Sequence, residues 1–267
     1  MPDGIALIAW ANAWTRKRAF AEVARYLEGG AARAISGPLP KRAGKAGGAP
    51  FWERLWEEAL PVGGRGRGAL KALKYLRRRG ITVTGSESGD LRFHPALPYF
   101  EEGKALFKGP ALLGLVRDAS GEPAALSRTY LLPDGSGKAD VPSPRKTLLI
   151  RPEPMTGGAI RLFPLVGGRL GVAEGIETAL AARLLTGVPC WSCVSASNLR
   201  AFEPPEGIRE VLIFADKDRS GTGAGAACGL AKRLSQKGIS VKTLFPKGEL
   251  TDGEKSLDFN DELLRIS

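Results

Sequence analysis

From Gly168 to the C-terminus the sequence predicts an α/β fold, a mainly parallel sheet flanked by helices. Two observations carry the prediction. Apolar runs of strand length (LGVA at 170–173, PCWSCV at 189–194, VLIFA at 211–215, ISVKTLF at 239–245) alternate with helical patterns over Ile176–Leu185, near Asn198, over Gly223–Lys237 and over Asn260–Leu264. Two of these runs also close on an acid, Glu174 and Asp216, with a helical pattern following. Ligands of open α/β sheets sit at the carboxyl ends of the strands, so both acids should face one crevice. Ahead of this domain the pattern predicts a small β-rich (α+β) domain and a basic helical N-terminal region. The expected divisions are 1–80, 81–166 and 167–267.

In chain order, a first helix is expected over Thr15–Leu27, stopped by Gly29 and Gly30. Ser36–Pro50 (SGPLPKRAGKAGGAP) reads as a linker rich in glycine, proline and lysine. A second helix sets Phe51, Trp52, Leu55, Trp56 and Ala59 on one face at i, i+3 and i+4 spacing. PVGGRGRG at 61–68 interrupts it, and Ala69–Arg79 reads as a third helix with Gly80 as its C-cap. Between Ile81 and Pro164 short β runs follow: ITVT, DLRFH, ALLGLV, PAALSRTYLL and AIRLFPL, with turns at Ser120-Gly121 and Asp134-Gly135.

The formal net charge is +11, and its placement is more informative than its size. Residues 1–80 hold sixteen Lys and Arg against six Asp and Glu; 81–168 hold ten against nine, and 169–267 thirteen against thirteen. A clustered basic excess is the electrostatic footprint of a phosphate backbone, so a nucleic-acid strand is the expected partner. Arg65, Arg67, Lys71, Lys74, Arg77, Arg78 and Arg79 are the residues expected to hold it. No apolar run approaches the roughly 20 residues that span a bilayer. MPDGIALIAWANAW lacks the basic start and cleavage site of a secretory signal, so the expectation is a cytoplasmic protein without membrane contact. Cys190 and Cys193 form a C-x-x-C, but zinc needs four ligands, and neither Cys228 nor His94 stands at ligand spacing. On a strand the two thiols diverge; they read as buried structural cysteines, His94 reads as structural too, and no zinc is expected.

Three acidic clusters carry the chemistry: Glu174 in VAEGIETAL, Asp216 and Asp218 in VLIFADKDRSGTG, and Asp258 with Asp261 in SLDFNDEL. Carboxylates gathered in one crevice repel unless a cation holds them, and hard oxygen donors suit Mg²⁺ or Mn²⁺. Period 2 sets Asp216 and Asp218 on the same side of an extended segment, able to grip one cation together. Glu174 in such a pocket should have a raised pKa, suited to accepting a proton from a hydroxyl. Gly221 and Gly223 let the backbone turn closely beneath a phosphate. The stretch Gly221–Ala226 also satisfies the G-x-G-x-x-A of a dinucleotide-binding turn. Against that, Asp216 and Asp218 just upstream would repel a pyrophosphate, and no acidic ribose partner follows ISVKTLF.

EGIETALA, IFADKD with its following glycines, and DFNDEL resemble the Toprim domain shared by bacterial-type primases, type IA and II topoisomerases and certain nucleases. The likeness is closest to the Toprim primases of phages and plasmids. YLRRRGI, SRTYLLPDGSGKA and GGAIRLFP are similar to the segment that precedes Toprim in those proteins. The resemblance implies a DNA primase: a Mg²⁺-dependent nucleotidyltransferase that makes short RNA primers from NTPs on single-stranded DNA in plasmid or phage replication. It implies Glu174 as general acid/base, Asp216 and Asp218 as a catalytic metal-binding pair, and Asp258 as part of a second metal position. Asn260 stands where that third motif often has a second acid, with Asp261 beside it; Thr178 stands where an acid often follows the glutamate, with Glu177 one residue earlier.

For phosphate contacts, Arg128, Lys138, Arg145 and Lys146 are candidates to touch triphosphate or template, and Lys217 and Gly221 to touch the nucleotide. Primases of this kind usually carry a zinc-binding module. No cysteine precedes Cys190, so the resemblance is to a member lacking that module: either a helicase or a zinc-module protein acts in trans, or the chain is shortened and relaxed in template choice. A Toprim nuclease using the same acids, or a non-catalytic nucleic-acid-binding accessory protein, are the other readings.

Overall fold

The computed structural model describes residues 15–28, 50–62, 69–83, 89–152 and 155–266. The chain divides into two compact units, 1–48 and 49–267. Arg65 and Arg67 lie outside the described residues, as does the linker up to residue 49. Within the first unit, helix α1 (Arg16–Glu28) starts after Thr15, whose hydroxyl accepts from the Arg18 amide at 3.3 Å. That is an ordinary N-cap.

The second unit runs α2 (Phe51–Glu57), β1 (Leu60–Pro61), α3 (Ala69–Arg78), β2 (Leu91–Glu101), β3 (Lys104–Arg117), β4 (Pro123–Tyr130) and β5 (Arg145–Leu149). It continues β6 (Ala159–Ile160), β7 (Arg169–Ala173), α4 (Ile176–Thr186), β8 (Cys190–Ser192), α5 (Ala196–Arg200), β9 (Glu210–Phe214) and β10 (Lys217–Asp218). Helix α6 (Thr222–Gln236), β11 (Ser240–Leu244), β12 (Ser256–Leu257) and α7 (Phe259–Ile266) complete it. Strands β8, β7, β9 and β11 are parallel neighbours, whereas β2 to β5 form an antiparallel meander. The two halves share one sheet, stitched by β6: Ile160 pairs with Val116 on one side and Ser192 on the other. Strands β10 and β12 make a separate two-stranded ribbon. Among the described residues no helix is long and apolar enough to cross a membrane.

One apolar cluster lines a single face of the whole sheet, from Phe93, Leu112 and Val116 to Ala173, Cys190, Phe214 and Phe259. The opposite face carries two clusters, one around Leu170, Val172 and Cys193, the other around Tyr99, Leu113 and Tyr130. Cys190 and Cys193 therefore bury their thiols on opposite faces, and both are unbridged. This is what an alternating strand dictates.

Four local expectations needed revision. ITVT does not open a strand over the described residues 81–83, because Ile81 closes α3 instead. Gly80 is left-handed (φ 70°), its amide bonds the Arg77 carbonyl at 2.9 Å, and the Ile81 amide reaches the Leu76 carbonyl at 2.9 Å. That double bond with an apolar Ile81–Leu76 partnership is a Schellman end. In AIRLFPL only Ala159 and Ile160 pair, before Pro164 removes a donor. DLRFH extends through Pro95 and Pro98 to Glu101, tolerable because, among the described residues, β1 covers only Phe93 and Arg92 and leaves the rest of β2 an edge. Strand β5 is an addition to the expected set.

Candidate functional site

Strands β7 and β9 are parallel neighbours in the register Ala173↔Phe214, so Glu174 and the Ala215-Asp216 segment leave the sheet side by side. The chain then runs on as β10, which pairs antiparallel with β12 through Lys217↔Leu257 and Asp218↔Ser256. That ribbon brings Asp258 to the same crevice. Glu174, Asp216, Asp218 and Asp258 thus converge where the sheet's topology collects ligands.

Their charges act on one another. Burial pushes the Asp216 carboxyl up to about 7, and Asp258, Glu174 and Asp218 add to the rise while Arg145 opposes it. Burial likewise raises Glu174, with Arg145 opposing and Asp218 reinforcing. Asp258 is raised by burial and by Asp261. Asp218 moves the other way, held down by the Ser220 hydroxyl and the Gly223 and Thr222 amides.

The hydrogen bonds separate the acids by task. Asp218 accepts from the Thr222 amide at 3.1 Å and the Gly223 amide at 2.8 Å, which makes it a cap on the first turn of α6. Gly223 is required there, since a Cβ would meet the Asp216 carbonyl at 2.8 Å. The carboxylate sits where a dinucleotide's pyrophosphate would have to bind, so the G-x-G-x-x-A match is not a dinucleotide turn. Asp258 and Asp261 form a reciprocal box at the start of α7: Asp258 Oδ1 accepts from the Asp261 amide at 3.0 Å, and Asp261 Oδ2 from the Asp258 amide at 2.9 Å. Thr178 donates its hydroxyl to Asp258 Oδ2 at 3.3 Å. Asp216 Oδ1 stands apart, buried with no hydrogen-bond partner among the described residues.

That orphaned oxygen tests the fit of a divalent cation. Among the described residues no three acidic, histidine or cysteine groups form a ready-made cage. Mg²⁺ is commonly held by one or two carboxylates, with waters and substrate phosphates completing its shell. A buried carboxylate oxygen without a donor, in a crevice of repelling acids, fits that mode.

Asn260 is drawn elsewhere. It is fully buried, its amide nitrogen donates to the Arg79 carbonyl, and its oxygen accepts from Arg79 Nη1 at 3.2 Å. The Asn260 side chain is thus turned to Arg79 at both ends of its amide. Arg79 is engaged in return through Nη1, and its guanidinium also lies 5.8 Å from the Tyr75 ring centroid. Lys74 ion-pairs with Asp134 at 2.7 Å, whereas Lys71, Arg77 and Arg78 are exposed on α3.

The cations expected at phosphates also part company. Lys138 pairs with the buried Glu177 at 3.0 Å, and the Tyr75 hydroxyl donates to the same carboxylate oxygen. Burial alone would raise Glu177, but Lys138 and Tyr75 together hold it down at about 2. Register decides the rest. Arg128 pairs with Lys146 and Leu113, and Leu113 belongs to the core on the face away from α3 and α4. Lys146 bonds Glu101 at 2.7 Å there. Arg145 pairs with Thr129, which pairs with Leu112 on the shared face. Directly opposed side chains share a face. Arg128 and Lys146 therefore point away from the acids, and Arg145 points toward their side. Lys217 donates to the Gly248 carbonyl at 2.7 Å, and Gly221 is left-handed (φ 70°) before α6. Tyr75 has no mark in the sequence, because nothing local signals a partner 102 residues away.

The Lys138–Glu177 pair supports a stability prediction. Lys138→Ala should cost about 3 kcal/mol in urea unfolding, because it strands a buried carboxylate. Glu177 is depressed in the folded state, so its contribution is present above the unfolded value near 4.5 and lost as pH falls toward 2. A variant within about 0.5 kcal/mol of wild type would remove the pair from the architecture.

Residues 169–266 match the Toprim domain family, and residues 46–162 match a domain of unknown function (DUF7146). No curated protein sequence matches the chain. Among solved structures, it is similar to a DNA primase domain from Pseudomonas aeruginosa, at 18% identity over 81% of this chain and 74% of that one, TM-score 0.48. The zinc-binding and RNA polymerase domains of the Aquifex aeolicus primase align at 12% identity over 99% and 67%, TM-score 0.46. The primase fragment of the bacteriophage T7 primase-helicase protein aligns at 15% identity over 83% and 77%, TM-score 0.41. With strand-end acids, a mainly parallel sheet and a matching family signature, the C-terminal part of the chain is a Toprim domain.

Proposed function

We propose that the protein is a Mg²⁺-dependent, primase-like nucleotidyltransferase that joins ribonucleotides on single-stranded DNA in plasmid or phage replication. The observation that carries this reading is the convergence of Glu174, Asp216, Asp218 and Asp258 around an unpartnered, buried Asp216 oxygen. Asp216, Asp218 and Asp258 would hold Mg²⁺ or Mn²⁺. When bound, the ion supplies Lewis-acid polarisation of the phosphoryl oxygens and offsets charge on the leaving group.

The chain's own residues do the rest. Glu174, its pKa raised, accepts the proton of the attacking 3′-hydroxyl as that oxygen bonds the α-phosphorus and pyrophosphate departs. Asp218 keeps α6 in place beneath the reacting groups. The Glu177–Lys138 pair fastens the preceding β-rich segment to the first turn of α4, just after Glu174.

The template strand is assigned to the exposed basic face of α3. Changing Lys71, Arg77 and Arg78 to Ala, with Arg79 kept for its structural bonds, should flatten the salt dependence of single-stranded DNA binding by about 0.7 for each phosphate no longer neutralised. All sequences should weaken alike, since backbone contacts position without specifying. An unchanged slope would make this face a solvated surface.

The function itself is tested by incubating the full chain with single-stranded DNA, labelled NTPs and Mg²⁺. Oligoribonucleotide products support the proposal. Shortened DNA would mark a nuclease instead, and retention without products an accessory binder.

A further inference from the structure

The segment between β4 and β5 is held at several points. Lys74 pairs with Asp134, Gly135 lies so close to α3 that a Cβ would meet the Lys71 carbonyl at 2.5 Å, and Lys138 reaches Glu177. Gly135 takes φ 73°, a left-handed conformation that admits this approach. The loop is thus fastened to both α3 and α4, and α4 begins directly after Glu174.

Arg145 stands where that fastened loop enters β5. Among the described residues strand β5 bonds only β4, which leaves its outer edge open there. The neighbouring cations are occupied: Lys138 by Glu177, Lys146 by Glu101, Lys74 by Asp134, and Arg79 by Asn260. Arg145 is exposed and, among the described residues, makes no ion pair or hydrogen bond through its side chain. Its register puts it on the face of the shared core, the side of Tyr75 and α4.

We propose that Arg145 contacts the triphosphate of an incoming nucleotide at the Toprim acids, an assignment that rests on the nucleotidyltransferase reading. A guanidinium can grip two phosphate oxygens at once and cannot be deprotonated, so it suits a polyanion held over carboxylates. Its charge already reaches Glu174, Asp216 and Tyr75, opposing the rise that burial imposes on each. The basic face of α3 provides a separate place for the strand, which favours the nucleotide as the source of the phosphates.

The test compares Arg145→Ala and Arg145→Lys with wild type by direct binding of Mg·ATP and AMP, and of a dT oligomer. Arg145→Ala should raise the Kd for Mg·ATP about tenfold, as expected for removing one charge-assisted hydrogen bond. Arg145→Lys should weaken it less, with AMP and dT affinities and the thermal melt unchanged. An unaltered Kd for Mg·ATP in Arg145→Ala overturns the assignment, as does a loss confined to the dT oligomer, which puts the arginine on the strand. A wild-type protein that binds no Mg·ATP and extends nothing overturns the nucleotidyltransferase reading itself.

Discussion

Asp216→Asn should abolish Mg²⁺-dependent nucleotide joining and should make the metal-free protein more stable. Both effects come from one carboxylate. Its folded pKa of about 7 lies above its ordinary value of 3.8, so the folded state binds the proton more tightly than the unfolded chain. Stability of the metal-free protein therefore falls as pH rises from about 4 to about 7 and levels off above, by up to about 4 kcal/mol at 1.4 kcal/mol per pKa unit. Asn removes that penalty and removes the anionic ligand. Thermal melts in EDTA and in Mg²⁺ at pH 5 and pH 8 check it: Mg²⁺ should stabilise wild type chiefly at pH 8 and leave Asp216→Asn unmoved. Wild-type turnover in the variant would dismiss the metal assignment. Asp218→Ala should differ, losing turnover and also about 1 kcal/mol, because that carboxylate caps α6.

Glu174→Gln keeps the shape of the side chain but cannot accept a proton. Turnover should fall at least about 10²-fold with nucleotide binding little changed. Among the described residues Glu174 makes no side-chain hydrogen bond, so the substitution leaves no cap or ion pair broken. Its Ser192 contact is through the backbone carbonyl, at 2.9 Å. A loss confined to KM would turn Glu174 into a binding group.

The parts of this site that can be read from the chain are those with a local signature. An apolar run ending in an acid announces a strand end, and two such runs with helices after them place Glu174 and Asp216 together on sequence alone. Asp258 is legible only as a motif, because the ribbon that delivers it is two residues long on each side and has no periodicity to detect. Strand β5 is invisible for a related reason: as an edge strand it alternates only between exposed and half-buried positions, with no fully buried one, and it opens on Arg-Lys. Without β5 there is no register, so Arg128 and Arg145 cannot be assigned to opposite faces. The roles of Asn260 and Arg79 are hidden because the two stand 181 positions apart in the chain. A buried Asn beside two acids looks like a ligand until its carbonyl and amide are both found bonded to another helix. Asp218 and Asp261 likewise read as metal-site acids, yet both also start helices, a double use that spacing alone does not reveal.

In the proposed function these acids, with Mg²⁺, join nucleotides as a template directs. The most direct measurement offers the full chain a dT homopolymer, Mg²⁺ and each labelled NTP separately, beside Asp216→Asn. Oligoribonucleotides should form from ATP alone, be lost completely in EDTA, and be absent with the variant at any Mg²⁺ concentration. Products formed equally from all four NTPs, or formed by Asp216→Asn at the wild-type rate, would contradict it.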